Sequence, residues 1–320
     1  MISKFENRYV DGIIELWNVT AVQDGYKELT EKSFRDIFLN NKYFSPDNTF
    51  ILDVEGVKGF ACGCAGDDLP LGDKSAYITC IFLDRQYRNT DNFRALLDCL
   101  EDSFRDLGKT RSEILFFNPM MLPWYIPGTP KHEHNNAPGA FAGSCFHGNL
   151  LENGYKERAR ECAMYLDLSL FKMPESALAK EKAAAGNGYE VALFEAARHS
   201  GVEEMLKGFD NLLWQREIKE CTEKGIPVVI AAKNGKAVGF AGPVIRQESG
   251  RGYFAGIGVH PEHEGHGLGS ILFFKLCEAF IGVGAGYMSL YTGSENPAIN
   301  IYKKAGFETV KEFAVMRKEI

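Results

Sequence analysis

Gly265, Gly267 and Gly269 stand at alternate positions within residues 259–270, VHPEHEGHGLGS. Glycines this close together let the backbone bend so that successive N–H groups face one point. An apolar run, Tyr253 to Val259, leads into them. An apolar-periodic run follows, with Ile271, Leu272, Phe274, Leu276, Ala279 and Phe280. That order reads as strand, tight turn and helix, and the helix start adds its positive dipole end to the converging amides. Such a cup suits a diphosphate. The pattern is Gly-x-Gly-x-Gly, whereas a dinucleotide site wants Gly-x-Gly-x-x-Gly and an acidic residue closing the next strand. The next strand, about Tyr287 to Thr292, ends without one, and no Gly-Lys-Ser/Thr of a nucleoside-triphosphate loop is present.

A second stretch lies further on, at residues 295–307, ENPAINIYKKAGF. It reads as a short helix with Pro297 in its first turn and Gly306 as a left-handed stop after Lys303 and Lys304. Tyr302 stands four residues before that glycine.

Together the two stretches resemble the acyl-CoA site of the GNAT superfamily of N-acetyltransferases. Glu264, Gly267 and Gly269 fall on the family's Arg/Gln-x-x-Gly-x-Gly/Ala positions, and Val259-His260-Pro261 matches its usual strand end. The resemblance implies an enzyme that moves an acyl group, most simply acetyl, from the cosubstrate acetyl-CoA to an amine. Tyr302 would be its general acid, protonating the departing thiolate. Backbone groups of Ile257, Gly258 and Val259 would meet the thioester and pantetheine arm, with the Val259 N–H polarising the carbonyl. Gly265, His266, Gly267, Leu268, Gly269 and Ser270 would hold the diphosphate, with Asn296 near the pantetheine. Two positions depart from the family. Glu264 replaces Arg or Gln and would be repelled by a diphosphate, so it is expected to point outward and pair with His263 or His266. Glu295 replaces a common Asn. The strand Gly252–Val259 carries no carboxylate, so Tyr253, His260 and Glu248 are the candidate bases and none is assigned.

These residues need a scaffold, and the chain repeats one plan twice. In the second half a strand (Tyr189 to Ala196) precedes two helices, about 201–209 and 212–223. A hairpin, 228–232 and 237–244, turns at Asn234-Gly235. The glycine-loop strand and helix, the strand 287–292, the short helix and a final strand (about 308–318) complete it. The first half offers a strand at 1–5, helices near 8–20 and 30–40, and a hairpin, 49–54 and 57–64, turned at Glu55-Gly56. Then come strand 76–83, helix 92–107, strand 112–117, and, after Gly154-Tyr155, a strand through Leu168. The repeat suggests duplication. It implies an α/β fold of two tandem GNAT-like domains, each a mixed, mostly antiparallel sheet flanked by helices. The expected division is 1–171 for a degenerate domain, 172–188 for a linker and 189–320 for the acetyl-CoA-binding domain.

The first half lacks the glycine loop. Residues 84–92, DRQYRNTDN, carry side chains where a diphosphate would lie, and Asp91 would repel it. Its counterpart to the tyrosine helix is broken by Pro119, Pro123 and Pro127. The long, aromatic segment 118–146 is expected to be a lid or wall of an acceptor pocket, or else a surface insertion. His132-Glu133-His134 within it lacks a third ligand, and no metal is expected.

Composition sets the remaining bounds. The chain has 320 residues, 45% hydrophobic and 25% charged, with a net charge of −7. This fits two globular domains and, with no basic block, argues against nucleic acid or an anionic membrane as partner. The eight cysteines mostly lie in apolar runs, and with no secretory signal they are expected to be reduced thiols in cytoplasm. The favoured function is acyl transfer to a small-molecule amine by a monomer or homodimer. A protein N-acetyltransferase and a non-catalytic acyl-CoA sensor or interaction protein are the alternatives.

Overall fold

The computed structural model describes residues 1–115 and 118–320. Phe116 and Phe117, at the end of the strand expected over 112–117, lie outside the described residues. The architecture is α/β with mixed sheets flanked by helices, in two compact units. The first comprises Met1–Ala163, Tyr291–Glu295 and Thr309–Ile320, the second Met164–Leu290 and Asn296–Glu308.

In the first unit, strands Ile2–Lys4, Thr49–Asp53, Val57–Cys64, Ser75–Leu83 and Arg111–Ile114 lie side by side in that order. Their pairings are antiparallel except for the parallel pair Ser75–Leu83 with Arg111–Ile114. The hairpin turns at Glu55-Gly56, both at positive φ. Helix Thr90–Asp106 places Phe93, Leu96, Leu97, Leu100 and Phe104 on one face, where they join Ile78, Ile81 and Ile114 in the core. Each such side chain contributes roughly 1.5–3 kcal/mol through burial. Cys62 and Cys64 are both buried on the strand Val57–Cys64, and burial pushes the Cys62 thiol up to about 12.

The strand Glu308–Glu319, expected to complete the second half, lies beside Arg111–Ile114 of the first unit. It runs antiparallel to Arg111–Ile114, with Met316 opposite Ile114 and Glu319 opposite Arg111. Two buried carboxylates supply the reason. Arg317 Nε donates to Glu113 at 2.7 Å, and Lys318 Nζ meets both oxygens of Glu101 at 2.8 Å. A buried carboxylate without a cation would be strongly destabilising, so this register is specified by charge as well as by alternation.

In the second unit, strands Tyr189–Leu193, Val229–Lys233, Lys236–Gly242 and Gly256–Val259 form an antiparallel sheet in that order. Its hairpin turns at Asn234 and Gly235, with φ of 52° and 79°. Helices Val202–Lys207 and Leu212–Glu223 bury Met205, Leu206 and Ile218 against Val228, Ile230 and Phe240. The segment 172–188, read as a linker, contains a helix, Glu175–Gly186, that packs on helix Leu268–Gly282. Its Ala/Lys/Glu composition is that of a strong helix former, and Ala177 and Ala184 are its buried contacts. No helix among the described residues is long and apolar enough to cross a membrane.

Candidate active site

The strand expected over 252–259 is two strands. Arg251–Tyr253 lies parallel to Tyr287–Gly293, pairing Arg251 with Tyr287 and Gly252 with Met288. After Phe254 and Ala255, Gly256–Val259 pairs antiparallel with Lys236–Gly242 instead. One neighbour is exchanged for another, and the second piece becomes the edge of its sheet. The His260 N–H donates to the Val238 carbonyl at 2.8 Å. Alternation along the strand then turns the Ile257 and Val259 N–H groups to the open edge. Gly256 is required there, because a Cβ on it would lie 2.4 Å from the Trp214 ring.

Beyond Val259 the chain makes a short 3-10 turn, Pro261–His263, and then passes Gly265 (φ 80°) and Gly267 (φ 73°) into helix Leu268–Gly282. Gly267 is the N-cap, and no side chain caps the first amides. A Cβ on Gly265 or Gly269 would meet no atom within 4 Å, so that side of the turn is open. The turn therefore offers unblocked N–H groups at a helix start, an arrangement that fits a diphosphate. Lys180, from helix Glu175–Gly186, reaches over it. Its Nζ is 3.2 Å from Ser270 Oγ, and its stem lies 3.1 Å from where a Gly267 Cβ would be. Sequence reading missed this lysine because it lies in the segment taken for a linker.

Glu264 is exposed and forms no ion pair with His263 or His266 among the described residues. His263 Nδ1 instead meets the Tyr189 hydroxyl at 3.0 Å, and the His266 ring lies 4.9 Å from the Tyr189 ring. Burial, with Lys233 nearby, lowers the His263 pKa and keeps that ring neutral.

Tyr302 lies in the helix Ile299–Lys304, ended by Gly306 at φ 96°. Its ring packs on Phe273 at 4.8 Å and Phe307 at 6.1 Å. The hydroxyl has no hydrogen-bond partner among the described residues, and burial raises the phenol above its ordinary value of 10.0. Pro297 falls one residue before the N-cap Ala298 rather than in the first turn. The Asn296 Oδ1 accepts from the Ala298 N–H at 2.9 Å, so that side chain shapes the start of its own helix.

The candidate bases separate. Glu248 is an exposed loop residue. His260 Nδ1 accepts from the Glu262 N–H at 3.4 Å, which ties its ring to its own turn. Tyr253 donates to Glu217 Oε1 at 3.0 Å; burial and then that carboxylate push the phenol up to about 12. Glu217 was not singled out from the sequence. It sits three residues after Trp214 on helix Leu212–Glu223, and Trp214 Nε1 donates to the Ala255 carbonyl at 3.0 Å. Residues three apart share a helix face, so both point at the place where the strand divides.

In the first unit the corresponding loop satisfies its own amides. Asp84 Oδ1 accepts from the Gln86 N–H and Asn89 Oδ1 from the Asn92 N–H, each at 2.9 Å. The segment 118–146 is folded into this unit. Trp124–Tyr125 pairs with Glu133–His134, and Ala140–Phe141 pairs with Ala314 and Phe313 of the final strand. The His134 ring stacks 4.1 Å from Tyr291, and Glu133 forms an ion pair with Lys27 at 2.6 Å. Among the described residues no three His, Cys, Asp or Glu side chains are grouped to hold a metal.

Residues 192–307 match the model of the acetyltransferase (GNAT) family. No curated protein sequence matches the chain. Among solved structures, the glucosamine N-acetyltransferase region of a fungal multi-domain GH3 β-N-acetylglucosaminidase superimposes on 99% of the chain, with a TM-score of 0.68 and 13% identity. The chain spans only 38% of that protein. A GCN5-related N-acetyltransferase from Sphaerobacter thermophilus matches 100% of the chain and 95% of its own, with a TM-score of 0.62 and 14% identity. A tandem GNAT protein from the clavulanic acid biosynthesis pathway matches 100% and 98%, with a TM-score of 0.57 and 15% identity. At these identities the likeness is one of fold.

Proposed function

Given a chain of GNAT-type fold whose residues 192–307 form a domain of the acetyltransferase (GNAT) family, we propose that it transfers an acetyl group from acetyl-CoA to the amine of a small molecule. The observation that carries this reading is the strand that divides at Phe254-Ala255 beside an uncapped helix start. The first feature leaves backbone donors on an open edge, and the second leaves amides for a diphosphate. Acetyl-CoA, when bound, supplies an activated acyl thioester.

The chain's own groups then have distinct tasks. Amides from Gly265 to Ser270 bind the diphosphate, with Lys180 adding a positive charge that offsets the nearby Glu264. Backbone groups of Ile257, Gly258 and Val259 orient the pantetheine arm. The Val259 N–H stabilises the negative charge that develops on the acyl oxygen. Glu217, held by Tyr253, accepts the proton of the attacking amine, directly or through water. Tyr302 gives its proton to the leaving sulfur.

The test is calorimetry with acetyl-CoA followed by thiol release across a panel of small amines. Saturable binding and amine-dependent thiol release are expected. Absence of binding would remove the proposal. Tight binding with no release for any amine would make the protein a sensor, the reading that the exposed Glu264 leaves in place.

Substituting Glu217→Gln keeps an acceptor for the Tyr253 hydroxyl but removes the base. Turnover at neutral pH is expected to fall about 10²-fold with CoA affinity unchanged. The deficit should shrink as pH rises, because a growing share of the amine is then already deprotonated. A pH-independent deficit, or none, would place the base elsewhere.

A further inference from the structure

What a histidine's ring nitrogens already do limits whether it can gain a proton. Several rings accept a backbone N–H at Nδ1: His147 from Gly143 at 3.2 Å, His199 from Glu195 at 2.9 Å and His260 from Glu262 at 3.4 Å. A neutral imidazole that accepts at Nδ1 carries its proton on Nε2, so a second proton would cost that bond. His263 and His266 escape this constraint. His263 Nδ1 faces the Tyr189 hydroxyl at 3.0 Å, and a hydroxyl can donate or accept, so this hydrogen bond survives protonation of the ring. The His266 ring packs 4.9 Å from the Tyr189 ring and makes no hydrogen bond among the described residues.

Both rings belong to the turn whose amides suit a diphosphate. His266 stands between Gly265 and Gly267, and His263 precedes Gly265 by two residues. At about 3.8 Å per residue, both Cα atoms lie within roughly 8 Å of Gly265, no farther than the screening length of physiological salt. Other charged and titratable groups surround them. Tyr189 faces them from strand Tyr189–Leu193, and Lys233 Nζ lies 4.9 Å from the centre of that tyrosine ring. Lys180 reaches over the turn from its own helix, while His260, Glu262 and Glu264 belong to the turn itself. In the empty site burial first, then Lys233 and the neighbouring histidines, disfavour a proton on His263, and Glu262 favours one. A diphosphate seated on the turn tips this balance, because its negative charge favours the cationic form of both rings.

We propose that His263 and His266 take up protons as the diphosphate of an acyl-CoA binds this turn, so that the site gains positive charge on loading and holds the coenzyme more tightly as pH falls. This coupling rests on the acetyl-CoA reading of the second unit. Its sign follows from linkage: the loaded site binds more protons than the empty one, so acid favours loading. The gain is complete below the titration of the empty site and is lost as pH rises through that of the loaded site. One positive charge at this distance from a diphosphate is worth roughly a factor of two to three in affinity at moderate salt.

Calorimetry on the full chain with CoA tests it, between about pH 6 and pH 8, where histidine changes charge, and in buffers of different ionisation enthalpy. The dependence of the heat on the buffer counts the protons exchanged. The 3′-phosphate of CoA itself titrates at about 6, so uptake is counted against the double variant His263→Gln/His266→Gln. The unsubstituted protein should take up more protons than the double variant, with each single variant between them. Its affinity advantage over the double variant should be roughly fivefold at the acid end and shrink toward the alkaline end. Glutamine retains a polar partner for Tyr189; should the double variant still not fold, the two single variants decide. Identical proton exchange, or an affinity difference that does not change with pH, would overturn the coupling while leaving CoA binding intact. No saturable binding of CoA by the unsubstituted protein at any pH would remove the acetyl-CoA reading, and the coupling with it.

Discussion

Replacing Tyr302 with Phe is expected, on the proposed function, to lower turnover roughly 10²-fold while CoA affinity stays within about twofold. The substitution removes one oxygen and leaves the ring on Phe273 and Phe307. Packing is retained, so a stability defect cannot masquerade as a catalytic one. Burial raises the phenol above 10.0, which keeps it protonated through the neutral range and available as a donor. Its acid form is lost only as pH climbs through that raised value, so the wild-type rate should hold on its alkaline side beyond pH 10. Steady-state kinetics with single-turnover controls, together with calorimetry, separates the two parameters. An unchanged rate would mean that water protonates the thiolate.

Gly267→Val should raise the CoA dissociation constant about 10²-fold without unfolding the domain. Gly267 holds φ at 73°, where a residue with a side chain is strained by about 1–2 kcal/mol. A Cβ would also press on the Lys180 stem at 3.1 Å, so the loop must shift and its amides lose their common focus. Strain plus a lost amide contact of about 1 kcal/mol or more accounts for the factor. Lys180→Ala removes a single exposed charge and should weaken binding about fivefold at low salt, less at high salt. Equal effects of the two substitutions would contradict a cradle built mainly of backbone groups. Circular dichroism melts supply the control for folding.

Features that depend on neighbouring residues could be read from the chain. Asn234-Gly235 and Glu55-Gly56 announce hairpins because their positive φ is a local demand. The glycines at 265 and 267 announce the loop for the same reason, and Gly306 marks the end of the Tyr302 helix. Other features depend on partners distant in sequence. Nothing in Phe254-Ala255 says that the strand changes neighbour there, because both pieces are apolar and each pairs acceptably. The final strand alternates like any other, and only the carboxylates Glu101 and Glu113 disclose that it pairs with Arg111–Ile114. Glu217 looks like the other glutamates of a solvated helix until Tyr253 is seen beside it. The helix Glu175–Gly186 was legible, since its alanines and lysines favour helix, but Pro174 and the glycines 186 and 188 drew the eye to a break.

The pairing of Arg111 with Glu319, 208 residues apart, has a consequence for biogenesis. During synthesis the sheet of the first unit lacks this partner until residues 316–319 have been made, so it cannot be completed from the amino-terminal half alone. Until then the rim at Arg111–Ile114 stays bare, a sticky edge for which a nascent-chain chaperone would be a natural guardian.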